Sequence, residues 1–262
     1  MLRLEVIFKT ATCSIPINYH YQLCSFVYKR LKHKDRDFES FLHEQGFKGF
    51  KMFTFSQLFF DKSAVRDNSL LIWPSGGRWY VSSISEDFLM YFFSSLIEIP
   101  QIEIRRTIFP IEQVSLLPEI EFKEEMEFFM LSPLVVSIPV DRNGKLYHKY
   151  LFPGDEQFEQ VLSKNLIKKY EAFYREKIDG SISIEPDWEY IKKRSKITKL
   201  IDINGIKIKG SIFPFKASGD IRLLKIAYEV GFGERNSLGF GMVKTLKDDF
   251  PQKASKELFK ID

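Results

Sequence analysis

Gly231-Phe232-Gly233-Glu234-Arg235-Asn236-Ser237-Leu238-Gly239-Phe240-Gly241 sets two Gly-Phe-Gly triplets around a short polar insert. Four glycines so close together permit backbone with φ > 0 and close approach to a ligand, and Arg235, Asn236 and Ser237 place side-chain donors between them. The runs at 223–230 and 242–246 are rich in strand-forming residues, which predicts a glycine-rich loop carried between two strands. Such a loop presents backbone N–H groups to phosphate. A nucleotide cofactor does not fit the spacing. A dinucleotide fingerprint needs a glycine where Asn236 stands, and the Gly-Lys-Ser/Thr of a Walker loop is absent. The phosphate of a polynucleotide and a purely structural glycine hairpin both remain open, and no cofactor is expected.

The chain has 262 residues, enough for one large domain or for two of about 130 that each bury a core. Its 44% hydrophobic and 28% charged content is that of an ordinary soluble globular protein. Phenylalanine is the outlier at 26 copies; most would build core, but Phe is also the residue on which unpaired bases stack. A net charge of +4 is too mild to establish a nucleic-acid partner, and local charge says more. Residues 112–127 hold six acidic side chains and one lysine, whereas residues 188–209 hold Lys192, Lys193, Arg194, Lys196, Lys199, Lys207 and Lys209 against Glu189 and Asp202. That segregation predicts one face for polyanions and another turned away from them.

Cys13 and Cys24 form no CxxC and have no nearby His pair, so neither a zinc site nor a disulfide framework is expected, and both read as reduced thiols of a cytoplasmic protein. Met1-Leu2-Arg3-Leu4-Glu5 carries acid where a signal peptide would be apolar. No apolar run approaches the about 18 residues of a membrane span.

Period-2 alternation predicts a first strand over 2–10, and Asn18 is placed to cap a helix running to about His33. Asp35 or Asp37 starts a second short helix that Gly46 ends. An aromatic strand follows over 50–60, then a hairpin turning at Gly76-Gly77, a helix over 86–96 and a strand over 99–109 broken by Pro100. Strand, helix, strand, strand, helix, strand is the split βαβ order of a ferredoxin-like domain. The second half reads as the same plan with insertions: strands at 127–131 and 134–140, a turn at Gly144, a strand at 147–151, a helix over 155–175, and strands at 181–184, 196–201, 203–213 and 223–231. The expected architecture is α+β, two tandem ferredoxin-like (RRM-like) domains over 1–123 and 124–262, packed rigidly enough to form a cleft.

The segment Tyr228-Glu229-Val230-Gly231-Phe232-Gly233-Glu234-Arg235-Asn236-Ser237-Leu238-Gly239-Phe240-Gly241-Met242-Val243 closely resembles the C-terminal signature of the CRISPR-associated endoribonucleases that process precursor CRISPR RNA, members of the RAMP superfamily. The resemblance extends through Phe129-Met130-Leu131-Ser132-Pro133-Leu134, Leu42-His43-Glu44 and Lys51-Met52-Phe53-Thr54-Phe55-Ser56. It implies tandem ferredoxin-like domains, metal-independent cleavage within the repeat, and a product of one repeat-spacer unit. Metal-free cleavage uses the RNA's own 2′-OH as nucleophile and leaves a 2′,3′-cyclic phosphate and a 5′-OH. It needs a group to take that proton, a group to protonate the 5′-oxygen and a cation for the phosphorane.

The chain offers four histidines, His20, His33, His43 and His148. Relatives carry a tyrosine on the first helix, a histidine at the end of the second and a lysine just beyond, which the resemblance carries onto Tyr28, His43 and Lys51, with Lys48 as a rival cation. Lys192, Lys193, Arg194, Lys196 and Lys199 are candidates for phosphate contacts, and Gly231, Gly233, Arg235, Asn236, Ser237, Gly239 and Gly241 for contacts to RNA backbone or bases. The resemblance does not choose between a repeat bound as a hairpin and as an unstructured strand. It admits other CRISPR effector-complex subunits and a second copy of the chain as further partners, and a competing reading as a non-catalytic repeat-RNA-binding subunit of such a complex.

Overall fold

Leu4, Val6 and Phe8 are completely buried on one face of the first strand, β1 (Leu2–Thr10), and the first half of the chain is built outward from it. The computed structural model describes residues 2–245. After β1 come β2 (Cys13–Pro16), the helices α1 (His20–Lys34) and α2 (Arg36–Glu44), and the strands β3 (Phe53–Phe55), β4 (Phe59–Phe60), β5 (Ser63–Arg66), β6 (Ser69–Ile72) and β7 (Ser75–Ser83). Helix α3 (Glu86–Glu98) and strands β8 (Gln101–Ile104) and β9 (Thr107–Leu116) complete this half. The sheet runs β3-β7-β1-β9-β8, every pair antiparallel, with β4 also on β7. The first strand therefore lies between the third and fourth strands of the split βαβ order. Leu23, Val27 and Leu31 of α1 and Phe88, Phe92 and Leu96 of α3 bury against its inner face.

The second half repeats the arrangement. It comprises β10 (Glu125–Met130), the hairpin β11 (Ser137–Arg142) and β12 (Lys145–Tyr150), helix α4 (Phe158–Tyr174), β13 (Ile182–Pro186), helix α5 (Trp188–Lys193), and the hairpin β14 (Thr198–Ile203) and β15 (Ile206–Ser211). Then follow β16 (Phe215–Gly219), helix α6 (Ile221–Val230) and β17 (Val243–Thr245). Its sheet runs β13-β16-β10-β17, again with the first strand between the third and fourth. Phe128 and Met130 of β10, Leu162 and Leu166 of α4, and Leu223, Leu224 and Ala227 of α6 form its core. The chain is thus two tandem ferredoxin-like folds, as its element order predicts.

Several local expectations are corrected. Residues 223–230 are helix, not strand: Asp220 caps α6 by accepting from the Arg222 N–H, and Arg222, Lys225 and Glu229 recur at helical spacing, a signal that the Leu, Ile, Tyr and Val content of the segment obscured. The expected Gly76-Gly77 hairpin does not form. β7 runs straight through both glycines in register with Phe8 and Lys9, and β6 pairs with β2 and β5 instead. The strand expected over 203–213 contains a reversal at Asn204-Gly205, both at positive φ, which closes the β14–β15 hairpin. The 50–60 strand breaks between β3 and β4, where the Gln57 N–H leaves its own sheet to donate to the Leu131 carbonyl of the other half. Asn18 does not cap α1; its Oδ1 accepts from the Asp202 N–H across the molecule.

The two folds are held together by buried and half-buried polar contacts. Arg3 is 3% exposed, donates to the carbonyls of Val243 and Tyr228 at 2.7 and 2.8 Å, and stacks over the Tyr228 ring. Thr54 Oγ1 donates to the Phe240 carbonyl at 3.0 Å. Both cysteines are free. Among the described residues, no helix is long and apolar enough to cross a membrane.

Candidate active site

Asp35 caps α2 by accepting from the Phe38 N–H, and Asp37 and Glu39 sit in the first turn where the helix dipole favours acid. Nine residues later the helix ends with His43 exposed in its last turn. Gly46, at φ 59°, turns the chain away with its N–H on the Phe41 carbonyl. Phe47 and Phe50 then exchange backbone hydrogen bonds around Lys48 and Gly49, both at positive φ, in the pattern of a tight primed turn. This reversal brings Lys51 back beneath α2, where its Nζ donates to the His43 carbonyl at 2.7 Å. Lys48 occupies the exposed tip of the turn, so of the two rival cations Lys51 is the one held against the histidine segment.

Tyr28 reaches the same spot from α1. Its ring meets His43 edge-on at 5.3 Å between centroids, and meets Phe53 at 5.9 Å in the same manner. Burial pushes the phenol above its usual range, with Cys24 and Glu39 adding to the effect, so Tyr28 keeps its proton at neutral pH. Partial burial lowers the Lys51 pKa. The structure therefore brings Tyr28, His43 and Lys51 together from three separate elements. Chemically they offer an exposed imidazole able to take or give a proton, a phenol able to donate one, and a cation.

The glycine segment is built differently from the expectation of free N–H groups awaiting phosphate. The N–H of Gly231 donates to Ala227, that of Gly239 to Asn236 and that of Gly241 to Pro133, while Phe232 N–H meets the Gly241 carbonyl. Asn236 is also occupied: its Nδ2 lies 3.0 Å from the carbonyls of both Phe232 and Phe240 and ties the two Gly-Phe-Gly triplets together. The loop packs on the first fold through Gly239, which lies against the Phe55 ring, and through Phe240, whose ring stacks on buried His20. Gly233 is buried, and only Arg235 and Ser237 of the seven candidates in this segment offer side chains toward a ligand.

Sequence reading missed Lys169. It lies in the apolar stripe of α4 with Leu162 and Leu166, a spacing that marks a buried lysine, and it is 2% exposed. Its Nζ donates to the carbonyls of Gly231 and Gly233, both at 2.7 Å, and burial lowers its pKa to about 7. Because the unfolded lysine titrates near 10.5, the unfolded chain binds the extra proton between those values, and this group makes stability rise with pH there. Comparing chemical unfolding of the unsubstituted chain with Lys169→Met should give a stability difference that grows in favour of the former from about pH 7 to about pH 10. A pH-independent difference would contradict this anchoring.

The basic segment does not form one uniform face. Lys192, Lys193 and Lys196 are exposed on and just after α5, with Lys193 in an ion pair to Glu189, and Arg194 stacks on Tyr190. Lys199 is different: its Nζ donates to Gln57 Oε1 at 2.6 Å, burial lowers its pKa to about 8, and it serves as a bridge between the two folds. Its expected place among free phosphate-contacting cations is corrected accordingly. His20, sandwiched between Tyr19 and Phe240, has a pKa lowered to about 3 by burial, with nearby Lys199 adding to the effect, and stays neutral. His33 pairs with Glu98, and His148 Nδ1 lies 3.1 Å from Ser137 Oγ.

Comparison with known proteins identifies the family. Residues 14–115 match the family described as CRISPR-associated protein Cas6, N-terminal, and residues 117–245 match CRISPR associated protein Cas6, C-terminal. The chain is similar to the CRISPR-associated endoribonuclease Cas6 1 of Methanocaldococcus jannaschii, 31% identical over 249 residues and 94% of each chain. It is also similar to the CRISPR-associated endoribonuclease Cas6 of Pyrococcus furiosus, 29% identical over 93% of this chain and 88% of that one. A solved structure described as CRISPR associated protein Cas6 matches with TM-score 0.77 at 30% identity, over 94% of this chain and 99% of that chain. Another, described as a RAMP protein binding different RNA substrates, matches with TM-score 0.81 at 26% identity, over 94% and 100% of the two chains. Both halves and the glycine segment are thus accounted for by one family, and the chain belongs to the CRISPR-associated Cas6 family.

Proposed function

We propose that this protein is a CRISPR RNA-processing endoribonuclease that cuts precursor CRISPR RNA within the repeat, without metal, leaving a 2′,3′-cyclic phosphate and a 5′-OH. The observation that carries this reading is the meeting of Tyr28 and His43 at 5.3 Å with Lys51 Nζ on the His43 carbonyl, in a chain whose relatives bear the name endoribonuclease. The RNA's 2′-oxygen attacks the adjacent phosphorus as its proton passes to His43, the P–O5′ bond breaks, and O5′ gains a proton from the Tyr28 hydroxyl or from solvent. His43 is the proton-transfer group. Tyr28, kept protonated by burial, is a second proton-transfer group or orients the reacting strand, and Lys51 balances the phosphorane charge.

The catalytic groups belong to the first domain, residues 1–123, and the glycine loop to the second, residues 124–262. Lys192, Lys193, Arg194 and Lys196 hold the RNA backbone, and Arg235 and Ser237 reach the strand near the cut. The partner is repeat RNA; other effector subunits and a second copy of the chain remain further candidates.

Incubation with EDTA is expected to leave repeat cleavage unchanged, while a single 2′-deoxy nucleotide at the cut site abolishes it and leaves binding intact. Gel analysis of labelled repeat RNA reads both. Loss of activity in EDTA, or cutting of the deoxy substrate, overturns the mechanism. Binding of ordinary repeat RNA without any cleavage would instead identify a non-catalytic RNA-binding subunit.

A further inference from the structure

Beside the Tyr28, His43 and Lys51 cluster, the two folds enclose a cavity of about 240 Å³ whose walls include Lys51, Phe50, Phe53, Asn165, Arg235 and Ser237. Its position is tied to the cluster twice over, since Lys51 also bonds the His43 carbonyl and Phe53 also packs against Tyr28. Two polar atoms of its lining residues, Asn165 Oδ1 and Arg235 Nε, are shielded from solvent and have no hydrogen-bond partner among the described residues. Leaving such atoms unpaired is costly, and a ligand that pairs them recovers that cost. One is an acceptor and the other a donor. Arg235 is moreover held at φ 59°, a left-handed conformation uncommon for a long side chain, at the rim of the glycine loop.

We propose that this cavity is a base pocket: an unpaired nucleobase of the RNA, next to the phosphate held at His43, enters it and stacks on Phe50, and the half-buried Asn165 and Arg235 side chains turn toward it so that it donates an N–H to Asn165 Oδ1 and accepts from Arg235 Nε. Nucleobases present a donor and an acceptor side by side on their Watson–Crick edges, and a base drawn out of the strand is read in this way. The pocket rests on the proposed RNA-cleaving function and deepens it. Seating a base there turns the adjacent ribose and phosphate toward His43, so the pocket positions the cut as well as binding the strand.

The test uses the full chain and repeat RNAs carrying one abasic nucleotide at each position in turn. Affinity is read on RNA made uncleavable by a 2′-deoxy substitution, and rate by single-turnover cleavage of all-ribose RNA. At one position, loss of the base is expected to cost about tenfold in affinity or rate. At that position Asn165→Ala and Arg235→Asn, each costing about tenfold on ordinary RNA, add nothing further. Asparagine tolerates the left-handed backbone at 235, and thermal melts matching the unsubstituted chain show that the variants fold. In the unsubstituted protein, 2-aminopurine at the same position should be quenched on binding by stacking against Phe50. Variant and abasic losses that multiply at every position, or 2-aminopurine fluorescence unchanged at every position, overturn the pocket while leaving cleavage to stand by itself. Coupling found in binding without any cleavage keeps the pocket and removes the nuclease.

Discussion

His43→Ala is expected to lower the single-turnover rate of repeat cleavage by about 10²–10⁴-fold, the usual contribution of a positioned proton-transfer group, with the dissociation constant for repeat RNA changed by less than about threefold. The split between rate and affinity follows from where the residue sits. His43 is exposed in the last turn of α2, its carbonyl rather than its ring holds Lys51, and its main ring contact is the edge of Tyr28. Removing the imidazole therefore leaves the Asp35 cap, the Phe47–Phe50 turn and the Lys51 hydrogen bond in place. Thermal melts should coincide for the two proteins. Tyr28→Phe, which keeps the ring packing on Phe53 and deletes only the hydroxyl, separates a chemical role of the phenol from its packing. An unchanged rate in His43→Ala would move the chemistry to another group.

Gly241→Ala should destabilise the folded protein by about 3 kcal/mol, combining the strain of a side chain in left-handed backbone with overpacking. Gly241 lies at φ 75°, and an added Cβ would fall 1.9 Å from the Phe232 carbonyl oxygen and 2.8 Å from Asn236 Nδ2. The obstructing oxygen is backbone, held by Asn236 Nδ2, so it has little freedom to retreat. For a chain of this size the melting temperature should fall by roughly 6–12 °C. The same change should loosen the contact between the folds, because the neighbouring Phe240 stacks on His20 and its carbonyl accepts from Thr54 Oγ1 of the first fold. A melt within about 1 °C of the unsubstituted chain would show that the loop can rearrange around the methyl group.

The misreadings around this loop have identifiable causes. Residues 223–230 look like strand because Leu, Ile, Tyr and Val crowd the segment, but Arg222, Lys225 and Glu229 fall at helical spacing, and α6 packs its apolar face against β16, α4 and the first fold while Arg222 and Lys225 stay exposed. The Asn204-Gly205 pair was a hairpin signal in plain view, whereas Gly76-Gly77 was a false one, spent on letting β7 lie close beneath Phe8. The glycines at 231, 233, 239 and 241 predicted positive φ correctly, and all four have it. Their spacing carried no information on where the loop's N–H groups go: those of Gly231, Phe232 and Gly239 close on carbonyls within or just before the loop, and those of Glu234 and Gly241 reach Val135 and Pro133, about a hundred residues earlier in the chain.

Sequence alone determined the split βαβ order of the first half, since local alternation, caps and turn residues act over a few positions, and it pointed to a second repeat of the same plan although the second helix of that repeat, α6, read as strand. It also singled out Tyr28, His43 and Lys51, through a resemblance carried by motifs rather than through any pattern of charge. Tertiary structure decided what the residues at the seam between the folds do. Lys169 and Lys199, both lysines by composition, are committed to Gly231, Gly233 and Gln57, and the orphaned atoms of Asn165 and Arg235 come from elements seventy residues apart. Hydrogen-bond satisfaction and desolvation depend on which surfaces meet when the second fold closes on the first, and one-dimensional spacing does not encode that meeting.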